Sequence, residues 1–324
     1  MLYSFKLSRR IARLRAPVVA AVVLSFAACN ASDSLNPDSS STPVTLSDPG
    51  SVGGVQAAPV NDPMLASASF AGGIPLGLFH LSTSAFGSPY NGALLTISPT
   101  YLKSTLAAIK SRGGKVILCM TGSQKYFKNA DGTFSFTKWK ERVNRFKGID
   151  FQSYINDGTL VGHYLIDEPY DPANFAGHPV GGSQLEAMAQ YSKSIWPGLT
   201  TIVRAEPYLI QWSGTYRYLD AAWAQYLYRK GNVNDYMKKN LDYAQRMGLG
   251  LVVGLNIRDG GVGNGTMTAS QVQSWGSTLL GSSYPCAFIS WKYGDSYLNT
   301  TSMKSAMNVL RNKAQSRSAK SCKG

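Results

Sequence analysis

Histidine is scarce in this chain, with three residues in 324, and cysteine nearly as scarce, with four. No Cys-x-x-Cys pair and no Cys/His cluster occurs, so zinc and iron–sulfur sites lack a ligand set and no metal is expected. Acid is short as well: 18 acidic residues face 32 basic ones, and charged residues make up only 15% of the chain. Low charge beside 44% hydrophobic residues excludes a disordered protein and leaves enough apolar side chains for a sizeable core. No Gly-rich phosphate loop follows the first strand-like run, which ends at Phe79-His80-Leu81, so a dinucleotide cofactor is not expected, nor any other. No internal repeat is visible. A run of apolar residues long enough to span a bilayer comfortably is also lacking. The best candidate, Ala16 to Ala28, is short and is interrupted by Pro17 and Ser25.

That run has a different use. It follows five basic residues (Lys6, Arg9, Arg10, Arg13, Arg15) and ends in small residues, the pattern of a secretory signal over residues 1–28. Leu24-Ser25-Phe26-Ala27-Ala28-Cys29 resembles a lipobox, which implies lipidation of Cys29 and a membrane anchor, with simple secretion after an Ala as the alternative. Ser8-Arg9-Arg10 also resembles a twin-arginine signal, but the expected aromatic-aliphatic pair is missing. The leader accounts for +5 of the formal charge of +14, leaving +9 on an exported chain. Six basic residues and no acid lie between Ser296 and Gly324. No aromatics interleave with them, so the tail suits a solvated end better than a nucleic-acid groove. In an oxidising compartment Cys286 and Cys322 are expected to pair, while Cys119, within Val116-Ile117-Leu118-Cys119-Met120, reads as a small buried hydrophobe.

Residues 29–69 are rich in Ser, Pro, Asp, Gly and Thr and poor in large apolar side chains, the composition of a tether. From residue 70 to 318 short apolar runs (74–80, 115–120, 160–167, 200–205, 219–227, 250–257, 285–292) alternate with amphipathic segments. That alternation predicts a parallel sheet covered by helices. Helix starts are expected at Ser98-Pro99, at Ser183 with Glu186 in capping-box spacing, at Thr268 with Gln271, and near Thr301; residues 319–324 form a basic tail. A closed (β/α)8 TIM barrel needs one strand more than these seven runs, either 93–97 or an irregular piece within 205–218. An open doubly wound sheet is the alternative.

In either architecture functional groups gather where strands end. The run 160–167 ends in Asp167-Glu168-Pro169 and the next in Arg204-Ala205-Glu206-Pro207. Beyond them stand Trp223, Gln225 and Tyr226, then Asn256, Arg258 and Asp259, then Trp291-Lys292-Tyr293, with His80 closing the first run. Carboxylates that protonate or attack, amides that hold hydroxyls and aromatic faces that stack on rings are what sugar chemistry requires.

On these residues the chain resembles glycoside-hydrolase-type TIM barrels, in which Asp-Glu-Pro at a strand end and a late-strand Trp, as in Ile289-Ser290-Trp291, line the cleft. It is also similar to an uncharacterised class of secreted bacterial proteins sharing the string His163-Tyr164-Leu165-Ile166-Asp167-Glu168-Pro169. The resemblance implies a carbohydrate as substrate or ligand. Strand alternation puts His163, Leu165 and Asp167 on one face and Arg204 with Glu206 on one face of the next strand, so Asp167 and Arg204 are expected to pair. Glu168 is then the expected proton donor, with Glu206 or Asp259 as base or nucleophile. Trp291, Arg204, Asn256, Gln225, Tyr226, His80 and Lys292 are the expected substrate contacts. A substrate-assisted variant would use adjacent Asp167 and Glu168, although alternation sends these two to opposite faces unless the strand ends between them. The rivals are a carbohydrate-binding barrel without turnover and a tethered structural or interaction protein built on a barrel scaffold.

Overall fold

The structure is a computed structural model and describes residues 73–323. The expected leader, Cys29 and the whole of the 29–69 tether lie outside those residues. Eight parallel strands close into one barrel in sequence order: β1 (Leu76–Phe79), β2 (Gly92–Thr96), β3 (Lys115–Cys119), β4 (Leu160–Asp167), β5 (Thr200–Arg204), β6 (Ala221–Tyr226), β7 (Gly250–Leu255) and β8 (Ala287–Ser290). β8 pairs with β1 through Leu76 opposite Phe288, which completes a (β/α)8 TIM barrel and excludes the open sheet. The missing strand is the segment at 93–97. Residues 205–220 instead form a loop holding a short 3-10 turn, Pro207–Leu209.

Helices α1 (Leu102–Ser111), α2 (Phe136–Asn144), α3 (Gln152–Asn156), α4 (Gly182–Ile195), α5 (Val233–Arg246), α6 (Ala269–Leu279), α7 (Asp295–Leu298) and α8 (Thr301–Gln315) complete the chain. No α-helix follows β1 or β5. Two of the expected starts differ. Ser98 makes no side-chain cap, because a 3-10 turn at Pro99–Tyr101 precedes α1. α4 begins at Gly182, where the Gly181 N–H donates to Gln184 Oε1 at 3.2 Å. Glu186, freed from that role, accepts the backbone N–H groups of Arg217, Tyr218 and Leu219 across the 205–220 loop. The Thr268–Gln271 capping box forms in both directions.

Side-chain alternation sorts the core into two layers. Leu78, Leu95, Leu118, Val203, Val253 and Phe288 face the helices, while Phe79, Leu94, Ile117, Ile202, Trp223, Val252 and Ile289 fill the barrel. Gly77 is required by the barrel wall: a Cβ there would lie 1.5 Å from the Gly92 carbonyl oxygen. At the end where strands begin, the last residues fold back instead of fraying. Cys322 bonds to Cys286 with 5.1 Å between Cα atoms and lies buried beneath Gly250. Cys119 is fully buried inside the barrel, but it is not a free thiol. A cavity of about 430 Å³ remains at this end, bordered by Pro75, Leu160, Thr200 and the tail. Among the described residues no helix is long and apolar enough to cross a membrane.

Candidate active site

At the other end, β4 departs from simple alternation. Its register with β5 shifts between Tyr164 and Asp167, an inserted residue that lets both side chains face the interior although they are three positions apart. The Tyr164 hydroxyl donates to Asp167 Oδ1 at 2.8 Å. His163 accordingly does not share a face with Asp167. It points into the helix layer, stacked on Trp139 and 2.8 Å from Ser192 Oγ on α4. The strand does end between Asp167 and Glu168, the condition under which the two side chains need not diverge. Glu168 adopts φ +37°, a left-handed conformation rare for a residue with a side chain, which swings its carboxylate back toward Arg204.

Arg204 on β5 is the hub. Its Nε donates to Asp167 Oδ1, its Nη2 lies 3.2 Å from Glu168 Oε1, and its Nη1 donates to Gln225 Oε1 of β6 at 2.8 Å. The loops beyond the strands brace the two acids from behind. Gln124 Nε2 donates to the Asp167 carbonyl at 2.9 Å and Asn174 Nδ2 to the Glu168 carbonyl at 3.1 Å. Beside this lies a second cluster. Glu206 pairs with Lys230, from the turn after β6, and accepts hydrogen bonds from the Tyr170 hydroxyl at 2.8 Å and the Tyr236 hydroxyl at 3.3 Å.

Three carboxyl groups therefore face two cations in a low-dielectric pocket, and the cluster is neutral when one carboxyl holds a proton. Glu168 suits that role. Its side chain retains 24% exposure against 1% for Asp167 and 3% for Glu206, and its cationic partner is shared with Asp167. Burial pushes the Glu168 carboxyl above its usual value; Arg204 opposes the shift and Asp167 adds to it. Burial likewise lowers the Lys230 ammonium to about 8.

The remaining expected contacts are spread around the rim. Trp291 is largely buried, its ring edge-on to Phe79 at 5.3 Å and to His80 at 5.8 Å, so it forms part of an aromatic floor with Trp223 and Tyr164. Lys292 Nζ lies 5.7 Å from the Trp291 ring, across a cis peptide bond. Asn256 bridges to Trp291 in the sheet and accepts from the Asp259 N–H at 3.0 Å. Asp259 keeps 35% side-chain exposure, and its Oδ2 finds no hydrogen-bond partner among the described residues. Tyr226 lies on the helix side, its hydroxyl on the Gly231 carbonyl and its ring against Tyr236, so it backs the Glu206 cage and does not line the mouth.

Tyr164, Tyr170, Lys230 and Tyr236 were not singled out from sequence. Tyr170 carried a signal, following Asp167-Glu168-Pro169 directly; Lys230 and Tyr236 carried none, since they come from the turn and helix after β6. Among the described residues no group of three or more His, Cys, Asp or Glu side chains is placed to hold a metal ion.

No protein-family model matches the chain, and no curated protein matches it in sequence. Solved structures are similar in fold. An endo-β-1,4-mannanase from Thermotoga petrophila aligns over 74% of this chain and 76% of its own, with TM-score 0.52 and 10% identity. An endoglucanase from Pseudomonas stutzeri aligns over 71% and 85%, with TM-score 0.48 and 12% identity. A chitinase from Pseudoalteromonas aurantia aligns over 67% and 91%, with TM-score 0.42 and 15% identity. At these identities the likeness is one of fold: the chain shares the TIM-barrel architecture of the mannanase.

Proposed function

We propose that this protein is an exported glycoside hydrolase in which Glu168 protonates the leaving oxygen of a glycan. The observation that carries the reading is the imbalance of three carboxyls against two cations, with the proton assigned to the most exposed of the three. Glu206 is committed to Lys230, Tyr170 and Tyr236, which leaves Asp259, with its unpartnered Oδ2, as the better base or nucleophile. Asp167, almost wholly enclosed, acts by holding Arg204; the same enclosure counts against a substrate-assisted mechanism in which it would touch an acetamido group.

Reducing-end release from a panel of neutral and acidic glycans tests the reading. Glu168→Gln is expected to lower turnover by about 10²–10⁴ with little change in affinity, and substrates with activated leaving groups should rescue it. Asp259→Asn should lose turnover without rescue, whereas Glu206→Gln should chiefly lose stability. Wild-type hydrolysis of an unactivated glycan by Glu168→Gln would refute the assignment. The locked state of Glu206 favours one alternative, a barrel that binds glycan without cleaving it, which binding without product release in the same panel would establish.

Export and anchoring through Cys29 rest on the leader pattern. Fractionation tests both: Cys29→Ser should move the protein from membranes to the soluble fraction, and unchanged membrane association would remove the anchor.

A further inference from the structure

A separate cavity of about 400 Å³ opens between the loop from β1 to β2, the segment after β8 and the first turns of α8, a volume in the range of small-molecule sites. Ser88, Tyr90, Tyr293, Asn299, Lys304 and Asn308 supply its polar lining. Tyr90 is the informative member. It is 93% buried, being 7% exposed, yet its hydroxyl has no hydrogen-bond partner among the described residues. That hydroxyl opens on the cavity and is available to a ligand there. Burial and the neighbouring Tyr293 and Tyr297 hold that hydroxyl protonated, so it faces the cavity as a donor.

The other groups define the ligand. Lys304 is exposed on α8 and pairs with no carboxylate among the described residues. Asn308, one helical turn further on the same face, has both ends of its amide uncommitted. Asn299 spends its Nδ2 on Asp295 Oδ1 at 2.9 Å and keeps its carbonyl oxygen. Tyr293 sets its ring edge against Tyr90 at 6.5 Å. The Tyr293 hydroxyl is spent on Asp295 Oδ1, so one ammonium, two amides and the Tyr90 phenol remain, a set that suits a polyhydroxylated ring bearing a single negative charge. Arg311 is not part of the lining and its Nη1 donates to Ser88 Oγ at 2.8 Å, which leaves Lys304 as the one cation among the lining residues, without the paired cations or fork that favour a phosphate dianion.

We infer that this cavity is a second sugar site, distinct from the carboxylate cluster, which takes one hexuronate unit with its carboxylate on Lys304 and its hydroxyls on Tyr90, Asn299 and Asn308. It does not depend on turnover at Glu168, and it would hold an acidic glycan against the barrel through a different residue of the polymer.

Calorimetric titration of the whole chain with glucuronate, galacturonate, glucose and glucose 6-phosphate tests the inference. Saturable binding of a hexuronate, weakened at least about tenfold in Lys304→Ala and about three- to tenfold in Tyr90→Phe, is the expected result. Lys304 and Tyr90 line this cavity and not the carboxylate cluster, so loss of affinity in their variants separates the cavity from the mouth. Lys304 is on the surface, so its variant should melt at the wild-type temperature. Absence of saturable binding, equal binding of glucose, tighter binding of glucose 6-phosphate, or wild-type affinity in both variants would each overturn it.

Discussion

The two ends of the barrel are built on opposite principles. Where strands begin, the interior is apolar: Ala221, Val252 and Ala287 lie beneath a covalent clasp between Cys286 and Cys322. Where strands end, Asp167, Arg204 and Glu206 are each 6% exposed or less, β4 is bulged, and Trp223 Nε1, Gln225 Nε2 and Asp259 Oδ2 find no partners among the described residues. Buried charge and unpaired polar atoms are destabilising unless compensated. The fully buried charges lie at one end, opposite the clasp, and the apolar base supplies the stability that offsets their cost, although unpaired buried atoms also occur elsewhere, as at Arg317 Nη1 near Pro285.

The largest effects should come from cutting each end at its key bond. Arg204→Leu removes the cation that pairs with enclosed Asp167 and is expected to cost about 3–5 kcal/mol, measured by urea unfolding. A loss below about 1 kcal/mol would show that the charges at the mouth are solvated and that the contrast between the ends is illusory. At the base, the Cys286→Ser/Cys322→Ser pair opens a loop with a sequence separation of 36 and is expected to cost about 4 kcal/mol. Glycan binding at the mouth should persist below the new melting temperature. Parallel loss of both properties would mean that the ends are one cooperative unit.

Acid should separate the barrel wall from the mouth. Burial lowers the His163 pKa from 6.5 to about 3, so below pH 6.5 the unfolded chain takes up a proton that the folded chain refuses. Its contribution is complete above pH 6.5 and is lost as pH falls toward about 3. Glu168 has the opposite sign. Its folded pKa is raised above 4.5, so its contribution is present below that value and is lost as pH rises through the folded pKa. His163→Leu should therefore flatten the fall in stability between pH 6.5 and about 4, and Glu168→Gln should flatten a loss above pH 4.5, both read from denaturant midpoints across pH. Identical pH profiles for wild type and His163→Leu would refute the buried neutral histidine.

How far these features could be read in advance follows from how local their causes are. The strand runs, the Thr268–Gln271 box and the meeting of Arg204 with Asp167 depend on side-chain period and end signals written within a few residues. β2 was the weakest of the strands to read because it lacks a following-helix rhythm on its β1 side, where only a 3-10 turn intervenes. The face of His163 relative to Asp167 was misread, and that of Glu168 stayed open, for one reason: a bulge and a left-handed residue reset alternation at the end of β4, and neither leaves a Gly or Pro marker at the affected position. Lys230 and Tyr236 join Glu206 only through barrel closure, which no window of sequence contains.

The smallest expected effect concerns the 205–220 loop, which links β5 to β6 without a helix and so joins the mouth to the base. Three of its amides converge on one carboxylate: Arg217 and Tyr218 donate to Glu186 Oε1 at 2.7 and 2.9 Å, and Leu219 to Oε2 at 3.1 Å. Glu186→Gln keeps one acceptor oxygen but replaces the other with a donor facing the Leu219 N–H, so one bond is lost and two lose their charge assistance. The expected cost is about 1–2 kcal/mol. Hydrogen exchange gives the sharper readout, because a local anchor and a helix cap protect different amides. Faster exchange at 217–219, with the first turn of α4 unchanged, is expected if Glu186 ties the loop to α4. Loss of protection in the first turn of α4 with 217–219 unchanged would instead make Glu186 a helix-start residue, and would leave the loop between mouth and base without its anchor.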